Sequence, residues 1–236
     1  AGAAGHSFFE GALDHVVLVR EALDGAGARA LGRELPWASL HLDDPLGATS
    51  FGNDANAAYD GTCRVDAGTG FDGCPKAGAD GWIRGAVSFD GVDDRIYLDR
   101  AVLPASNFSV ALWVKPAQRS SYTQTLVTSE WYGASVPHLA LRIDPDSTTL
   151  RYVDCQRELA SAPNALLEDQ WNHIVVTFNA DGLALYINGA QDRALEGPLS
   201  ACGSASPVHL GGDSLTGWGY RGLPFAGMMD EFGIYG

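Results

Sequence analysis

Short runs of alternating apolar and polar residues, bounded by Gly, Pro, Asn and Asp, constrain the fold of this chain most strongly. The clearest run is Phe108–Lys115, whose apolar residues fall on one face of an extended strand: Phe108, Val110, Leu112 and Val114. Similar runs follow at short intervals: Gln124–Trp131, His138–Asp144, Leu150–Asp154, Trp171–Asn179, Leu183–Asn188 and Val208–Gly211. This spacing predicts an all-β sandwich of two antiparallel sheets.

One pair of runs has the pattern of a hairpin. Trp171–Asn179 and Leu183–Asn188 are joined by Ala180-Asp181-Gly182. An Asp-Gly pair favours the positive φ values of a tight hairpin turn. We therefore predict a hairpin whose turn takes its positive φ from Asp181-Gly182.

The two ends of the chain resemble each other. Phe9–Val19 aligns without gaps on Phe225–Tyr235, each beginning aromatic-x-Gly-x-apolar-Asp before an apolar strand. Residues 1–20 are therefore predicted to be the terminal strand of a preceding repeat or a donated strand, although two strand patterns can also agree by chance. Glu21–Leu35 is predicted to be a short linker helix that ends before Pro36, and 36–236 is the main domain.

The net charge of the chain limits the classes of partner that it can bind. It has 15 Lys and Arg against 29 Asp and Glu among 236 residues, a formal net charge of −14. Such a surface repels phosphate backbones and anionic membrane surfaces, so nucleic-acid binding is not expected. No apolar run approaches the roughly 20 residues needed to span a bilayer, so membrane insertion is not expected either. The balance suits divalent cations and neutral partners.

Four cysteines allow three disulfide connectivities. We favour Cys63–Cys74, which closes a small Gly- and Asp-rich loop, and Cys155–Cys202, which joins a strand to a later loop. Buried reduced thiols are the alternative. Paired cysteines indicate an extracellular or cell-surface location, since disulfides persist in oxidising compartments.

Three segments in order carry a recognisable pattern: Val87–Ile96, with the sequence VSFDGVDDRI; Trp171–Phe178 leading into Leu185–Gly189; and Phe225–Tyr235. Together they resemble the laminin-G-like jelly-roll family of the concanavalin A-like lectin/glucanase fold, over residues 37–236. The resemblance implies a two-sheet antiparallel jelly-roll sandwich with a short N-terminal strand and linker helix before it. Its opening strand, Trp37–Leu42, would pair with Phe225–Tyr235.

The resemblance also implies a structural calcium ion (Ca2+). Its ligands would come from the loop after the Phe-Asp-Gly strand and from the last strand: Asp90, Asp93, Asp94 and Asp230. Calcium prefers six to eight oxygen ligands, which such a turn can supply. The alternative is that Asp93 and Asp94 are solvated turn residues, while Asp230 pairs with Arg95 or caps a loop.

Two Gly-flanked loops carry aromatic residues that could stack on sugar rings. The candidate ligand-binding residues are Trp131, Tyr132, Asp213, Trp218, Tyr220 and Arg221. The competing interpretation is that these aromatic side chains pack under their own loops or against a neighbouring domain.

Catalysis is not expected from the sequence. Glucanases of this fold carry Glu-x-Asp-x-x-Glu on one strand, and this chain has no such triplet. The sequence therefore favours a non-catalytic, calcium-stabilised structural or adhesive repeat of a cell-surface or filament-forming protein, with neighbouring copies as partners. The alternative is a carbohydrate-binding module that recognises glycans, and a glycoside hydrolase is a remote third possibility.

Overall fold

A computed structural model describes residues 37–64, 73–101, 103, 107–117, 119–129, 137–197, 199, 202, 207–213 and 223–236, the side chains of 99–101 excepted. In these residues the chain forms sixteen strands and one 3-10 turn, Ala57–Tyr59. The strands are β1 Ala38–Leu40, β2 Ser50–Phe51, β3 Gly61–Thr62, β4 Lys76–Asp80, β5 Gly85–Asp90, β6 Ile96–Ala101, β7 Phe108–Pro116, β8 Gln124–Ser129, β9 Leu139–Ile143, β10 Leu150–Val153, β11 Glu158–Ala160, β12 Asn172–Asn179, β13 Gly182–Ile187, β14 Ala190–Glu196, β15 Pro207–Leu210 and β16 Ala226–Tyr235.

The strands form two antiparallel sheets. The first has the order β14-β13-β12-β7-β16-β5-β4, with β1 also paired to β16, and the second has the order β11-β10-β9-β8-β15-β6-β3-β2. Neighbours that are distant in sequence show that the chain crosses repeatedly between the sheets. The predicted all-β, two-sheet jelly roll is confirmed.

The core lies between the two sheets and follows from period-2 alternation. Along β7, residues alternate strictly between buried and half-buried, and Val110, Leu112 and Val114 are fully buried. Leu139 and Leu141 on β9 are buried in the same core cluster. Residues at intervening positions, such as Trp113 and Arg142, therefore point to the outer faces of the sheets.

Strand β16 is an interior strand of the first sheet and has three partner strands. It pairs with β5 at one end, with β1 at the other and with β7 along most of its length. Ala38 lies opposite Ile234, so the opening and closing strands are adjacent, as predicted. A register shift between Asp230 and Gly233 and a φ of 51° at Glu231 mark a β-bulge in this strand.

The hairpin between β12 and β13 forms, but the prediction of positive φ at its turn was wrong. Gly182 pairs with Asn179 as the first residue of β13, and the Asn179 side chain accepts the backbone N–H groups of Asp181 and Gly182 at 2.9 Å. Glycine is required at 182 because an added Cβ would lie 2.7 Å from the Leu195 carbonyl oxygen. The positive-φ turn comes one hairpin later, at Asn188-Gly189, with φ values of 52° and 82°.

Both favoured disulfides are present. Cys63–Cys74 and Cys155–Cys202 have Cα–Cα distances of 5.1 and 5.7 Å. The first lies beside the core, and the second joins the β10–β11 turn to the connection between β14 and β15.

The chain divides into two units, Ala1–Glu34 and Leu35–Gly236. The strand predicted in residues 1–20 and the helix predicted in 21–35 lie outside the described residues. Within the part that is described, no helix has the length and apolar character needed to cross a membrane.

Candidate functional site

One end of the sandwich holds four of the predicted site residues, Asp90, Asp93, Asp94 and Asp213. There, the loop after Asp90 carries the chain from β5 in the first sheet to β6 in the second. Leu210 on β15 lies opposite both Ile96 and Val127. The segments that follow Leu210 therefore lie beside this loop, at what we call the acidic-loop end.

The acidic cluster consists of Asp90, Asp93 and Asp94, each offering a carboxylate oxygen within 4.8 Å of the other two. Asp94 Oδ2 accepts the backbone N–H of Asp90 at 2.8 Å, and Asp90 Oδ1 accepts that of Val92 at 2.8 Å. Burial, together with the negative charges of Asp90 and Asp93, raises the pKa of Asp94 to about 6. A cation would relieve this repulsion.

The segment around Gly73 packs against this loop. The Gly73 N–H donates to the Asp93 carbonyl oxygen at 2.9 Å, and a Cβ at position 73 would lie 2.3 Å from Asp93 Oδ1. The next residue is Cys74, which is bonded to Cys63. The first disulfide therefore links the acidic cluster to the second sheet. This contact has no signal in the sequence.

Three carboxylates from one turn fit the oxygen preference of calcium, but the structure leaves Asp230 out of the cluster. Ala226 lies opposite Asp90, and Asp230 is four residues further along β16, about 13 Å away. Asp230 is fully buried and accepts the backbone N–H of Ile83 at 2.9 Å. It therefore caps the β4–β5 turn, which was the alternative assignment for this residue.

A second cluster lies on the outer face of the second sheet. Arg142 on β9 donates from Nη2 to Asp213 Oδ2 at 2.9 Å, and Thr125 on β8 is the cross-strand neighbour of Arg142. The side chain of Asp213 is 1% exposed and that of Arg142 is 17% exposed. Burial raises the pKa of Asp213, while the charge of Arg142 opposes that shift.

This cluster has unused hydrogen-bonding capacity. Asp213 Oδ1, Thr125 Oγ1 and Arg142 Nε are buried atoms without a hydrogen-bond partner. Most buried polar atoms in proteins do have partners. The Thr125 hydroxyl lies close enough to Asp213 to oppose the rise in the pKa of that carboxyl, so the three side chains adjoin one another.

Gly211 joins the two clusters. Its φ is +84°, and an added Cβ would lie 2.3 Å from the Phe89 ring and 3.0 Å from the Asp94 carbonyl oxygen. Only glycine allows the end of β15 to pack this closely on the acidic loop. The acidic cluster and the Arg142–Asp213 pair therefore form one contiguous region.

Of the predicted ligand-binding residues, Trp131, Tyr132, Trp218, Tyr220 and Arg221 lie outside the described residues. Asp213, the remaining member of the set, is described and lies shortly after β15.

Sequence reasoning missed Tyr122 at this end. Its side chain is 46% exposed, and its hydroxyl donates to the Gly91 carbonyl oxygen at 3.3 Å. The residue lies in the turn before β8 and has no periodic signal. Its only sequence cue is an aromatic residue inside a polar turn.

The strand that carries Arg142 has no carboxylates on its outer face. The outward residues of β9 are Ala140 and Arg142, opposite Thr128 and Thr125 of β8. Between them, these two described strands present small, hydroxyl and basic groups at the centre of the sheet.

The fold has known structural counterparts. Domain 4 of AbnA, a GH43 extracellular arabinanase from Geobacillus stearothermophilus, solved in complex with arabinotriose, is 23% identical with a TM-score of 0.61, covering 86% of this chain and 92% of that domain. The receptor-binding domain of botulinum neurotoxin mosaic serotype C/D is 15% identical with a TM-score of 0.56, covering 85% of this chain and 47% of that one.

A sialidase from Trypanosoma rangeli, in complex with a difluorosialic acid, is 11% identical with a TM-score of 0.59, covering 84% of this chain and 30% of the sialidase. This chain therefore corresponds to less than half of the neurotoxin and sialidase chains. At these identities the likeness shows the shared fold alone.

No curated protein sequence matches the chain significantly. A family model does match, over residues 90–236, and its description is the concanavalin A-like lectin/glucanases superfamily, Laminin_G_3. The matched region starts at Asp90 and extends through the last strand, β16. The two-sheet topology and this match agree, and the chain belongs to the laminin-G type of the concanavalin A-like lectin/glucanase superfamily.

Proposed function

We propose that this chain is an extracellular, non-catalytic carbohydrate-binding module whose glycan site lies at the acidic-loop end of the second sheet. The observation that carries the proposal is the Arg142–Asp213 pair. Arg142 Nε and Asp213 Oδ1, one atom on each member of the pair, have no hydrogen-bond partner. Arg142, with 17% of its side chain exposed, is the member that solvent reaches.

A neutral sugar matches this pair in chemistry. Each hydroxyl can both donate and accept, so two adjacent hydroxyls satisfy a guanidinium donor and a carboxylate acceptor together. An acidic sugar matches poorly, since Asp213 and the acidic cluster would repel its charge. Tyr122, exposed at the same end, adds an aromatic surface for stacking.

Two further observations support a binding role rather than a catalytic one. Glycoside hydrolysis needs two facing carboxyl groups, while the outward residues of β9 are Ala140 and Arg142. The arabinanase domain with the same fold was solved with arabinotriose, which makes arabinose oligosaccharides the first ligands to test.

The proposal includes a structural calcium ion bound at the acidic cluster. Asp90, Asp93 and Asp94 would hold it, and the ion would neutralise three carboxylates that otherwise repel one another. Because Gly211 packs on the Asp94 carbonyl oxygen, a rigid acidic loop would also support the residues that precede Asp213.

The test is calorimetric titration of the full chain with arabinotriose, alongside a neutral glycan array. We expect Asp213→Asn and Arg142→Gln to lose glycan affinity, since each removes one of the paired polar groups. Arg193→Gln is the matched control, because the Arg193 side chain is 47% exposed and lies 3.8 Å from its partner Asp192. Failure of the natural chain to bind any neutral glycan, or equal affinity in all three variants, would overturn the proposal.

A second candidate function is the structural or adhesive repeat, and a specific observation favours it. The segment that resembles Phe9–Val19 is Phe225–Tyr235, and most of that segment is β16, which pairs with β1, β5 and β7. A copy of such an interior strand requires partner strands, from a neighbouring copy of the domain in cis or in trans. If deletion of residues 1–20 leaves the number of chains in the native particle unchanged, this role is excluded.

A further inference from the structure

The two disulfides of this chain differ in their surroundings. Cys63 is 9% exposed and belongs to the core cluster, against which Cys74 also packs. Cys155, by contrast, is exposed in the turn after β10. A dissolved thiol can therefore reach the second disulfide far more easily than the first.

The two sulfur atoms of the second disulfide also differ from each other. The Cys155 backbone N–H points at Cys202 Sγ at 3.1 Å, and Arg157 Nη2 lies 3.8 Å from the same sulfur. Both donors would stabilise a thiolate at Cys202. Lowering the basicity of one sulfur makes it the better leaving group in thiol–disulfide exchange.

Arg157 is held in this position by its neighbours. Its Nε donates to Asp154 Oδ2 at 2.9 Å, and its guanidinium lies 5.2 Å from the centre of the Phe178 ring. The Arg157 side chain is only 10% exposed. A shielded guanidinium with fixed geometry interacts more strongly with a nearby sulfur than a solvated one would.

We propose that Cys155 is a site of S-thiolation by low-molecular-weight thiols, with Cys202 as the leaving group. The thiolate of the small thiol attacks Cys155 Sγ and forms a mixed disulfide there. The Cys155–Cys202 bond breaks, and its electron pair stays on Cys202 Sγ as a thiolate. The net change is an exchange of one disulfide for another, so no external oxidant or reductant is needed.

A metal site on the reduced cysteines fits the geometry less well. Asp154 offers a carboxylate oxygen within 4.8 Å of both sulfur atoms, but this carboxylate already accepts several hydrogen bonds. It accepts the Tyr152 hydroxyl at 3.0 Å, the backbone N–H groups of Gln156 and Arg157 at 2.8 and 2.7 Å, and Arg157 Nε. A cation would have to displace Arg157, so exchange with a thiol is the chemistry that these contacts favour.

The exchange would release a cross-link between the two sheets' edges. Cys155 precedes β11, the edge strand of the second sheet, and Cys202 follows β14, the edge strand of the first. The disulfide ties the β14–β15 connection to the β10–β11 turn. Thiolation at Cys155 would free that connection while leaving the core disulfide intact.

The experiment uses the full oxidised chain and reduced glutathione under native conditions, with iodoacetamide quenching and peptide mass mapping. We expect glutathione on Cys155, a carbamidomethyl group on Cys202, and an unchanged Cys63–Cys74 bond. Adducts mainly on Cys202, or opening of Cys63–Cys74 at an equal or higher rate, would overturn the proposal.

A second measurement isolates the role of Arg157. In the glutathionylated chain, the pH dependence of Cys202 alkylation reports the pKa of its thiol. We expect Arg157→Gln to shift this profile to higher pH and to slow alkylation at pH 7 several-fold, while the exposed control Arg193→Gln leaves it unchanged. The same profile in all three proteins would show that Arg157 does not stabilise the Cys202 thiolate. A folded-state check by circular dichroism accompanies each variant.

Discussion

Arg142 and Asp213 are 71 residues apart in sequence, yet they form an ion pair at 2.9 Å with an almost fully buried carboxylate. The pair lies on the outer face of the second sheet, where the adjoining strands carry Thr125 as a cross-strand neighbour. A buried pair of this kind is costly to break, because the remaining charge loses its partner without regaining water.

Removing one member of this pair should therefore destabilise the domain. We expect Arg142→Ala to lower the free energy of unfolding by about 3 kcal/mol, within the range known for broken buried pairs. Urea denaturation followed by tryptophan fluorescence measures this loss. Arg193, whose side chain is 47% exposed beside Asp192, gives the control, and Arg193→Ala should cost less than about 1 kcal/mol. Equal losses in the two variants would contradict the assignment.

Calcium should stabilise the chain through the acidic cluster alone. We expect chelation by EDTA to lower the melting temperature of the natural chain, since Asp90, Asp93 and Asp94 then repel one another without a cation. Asp93→Asn should abolish the difference between calcium and EDTA. Asp230→Asn should preserve that difference, because Asp230 caps a turn about 13 Å away. Calcium dependence that disappears in Asp230→Asn would restore this residue to the site.

The Asp230 carboxyl should make stability depend on pH. Burial, assisted by the charge of Glu231 and opposed by N–H donors such as Ile83, raises its pKa to about 6. A raised pKa means that the folded state binds the proton more tightly than the unfolded state. This contribution is complete below about pH 4 and is lost as the pH rises through about 6.

Thermal melts from pH 4 to pH 7 in EDTA test this contribution. The natural chain should lose stability across that range, and Asp230→Asn should flatten part of the slope. An identical slope in both proteins would show that Asp230 keeps its ordinary pKa.

His41 should add a second pH-dependent step. Nδ1 lies 2.8 Å from Glu231 Oε2, and Nε2 lies 2.9 Å from Asp54 Oδ2. Burial lowers the pKa of His41, but its hydrogen bond to Glu231 and the charges of Glu231, Asp54 and Asp43 outweigh burial and raise it. The stabilisation is therefore full below about pH 6.5 and is lost as the pH rises through the raised value.

NMR titration of the His41 ring protons measures this pKa directly. We expect a value above 6.5 in the natural chain and a lower one in Glu231→Gln. A His41 titration that is unaffected by Glu231→Gln would contradict the pairing.

Two equally exposed tryptophans should differ in their contribution to stability. Trp37 and Trp82 are each 52% exposed, but Trp82 stacks on Trp113 with ring centroids 4.2 Å apart. We expect Trp82→Ala to cost about 1 kcal/mol more than Trp37→Ala, the usual value of an aromatic pair beyond its buried area. Chemical denaturation of both variants gives the comparison, and equal costs would show that the stack contributes nothing.

The strand pattern was predictable because it depends on local alternation. Phe108–Lys115 corresponds to β7, and the residues assigned to one face, such as Val110 and Leu112, are fully buried. The prediction of positive φ at Asp181-Gly182 was wrong, because glycine is required there by the close approach of the Leu195 carbonyl oxygen. That constraint comes from a different strand and leaves no local signal.

The candidate site was predictable only in part, for a similar reason. Asp90, Asp93 and Asp94 are neighbours in sequence, so one turn brings them together. Asp230 was assigned to the same site because of the family resemblance. Its position relative to Asp90, however, depends on the register between β16 and β5. Register is set by cross-strand packing over the whole sheet, which a single segment does not encode.

Alternation, turn residues and short spacings act locally, so the sandwich, the strands of its core and the acidic turn could be predicted from the sequence. The contacts of Arg142 with Asp213, of Gly211 with the acidic loop and of Arg157 with the Cys202 sulfur appear only in the folded chain. These contacts arise from strand order and register, which bring together side chains that lie tens of residues apart and fix what each can bind.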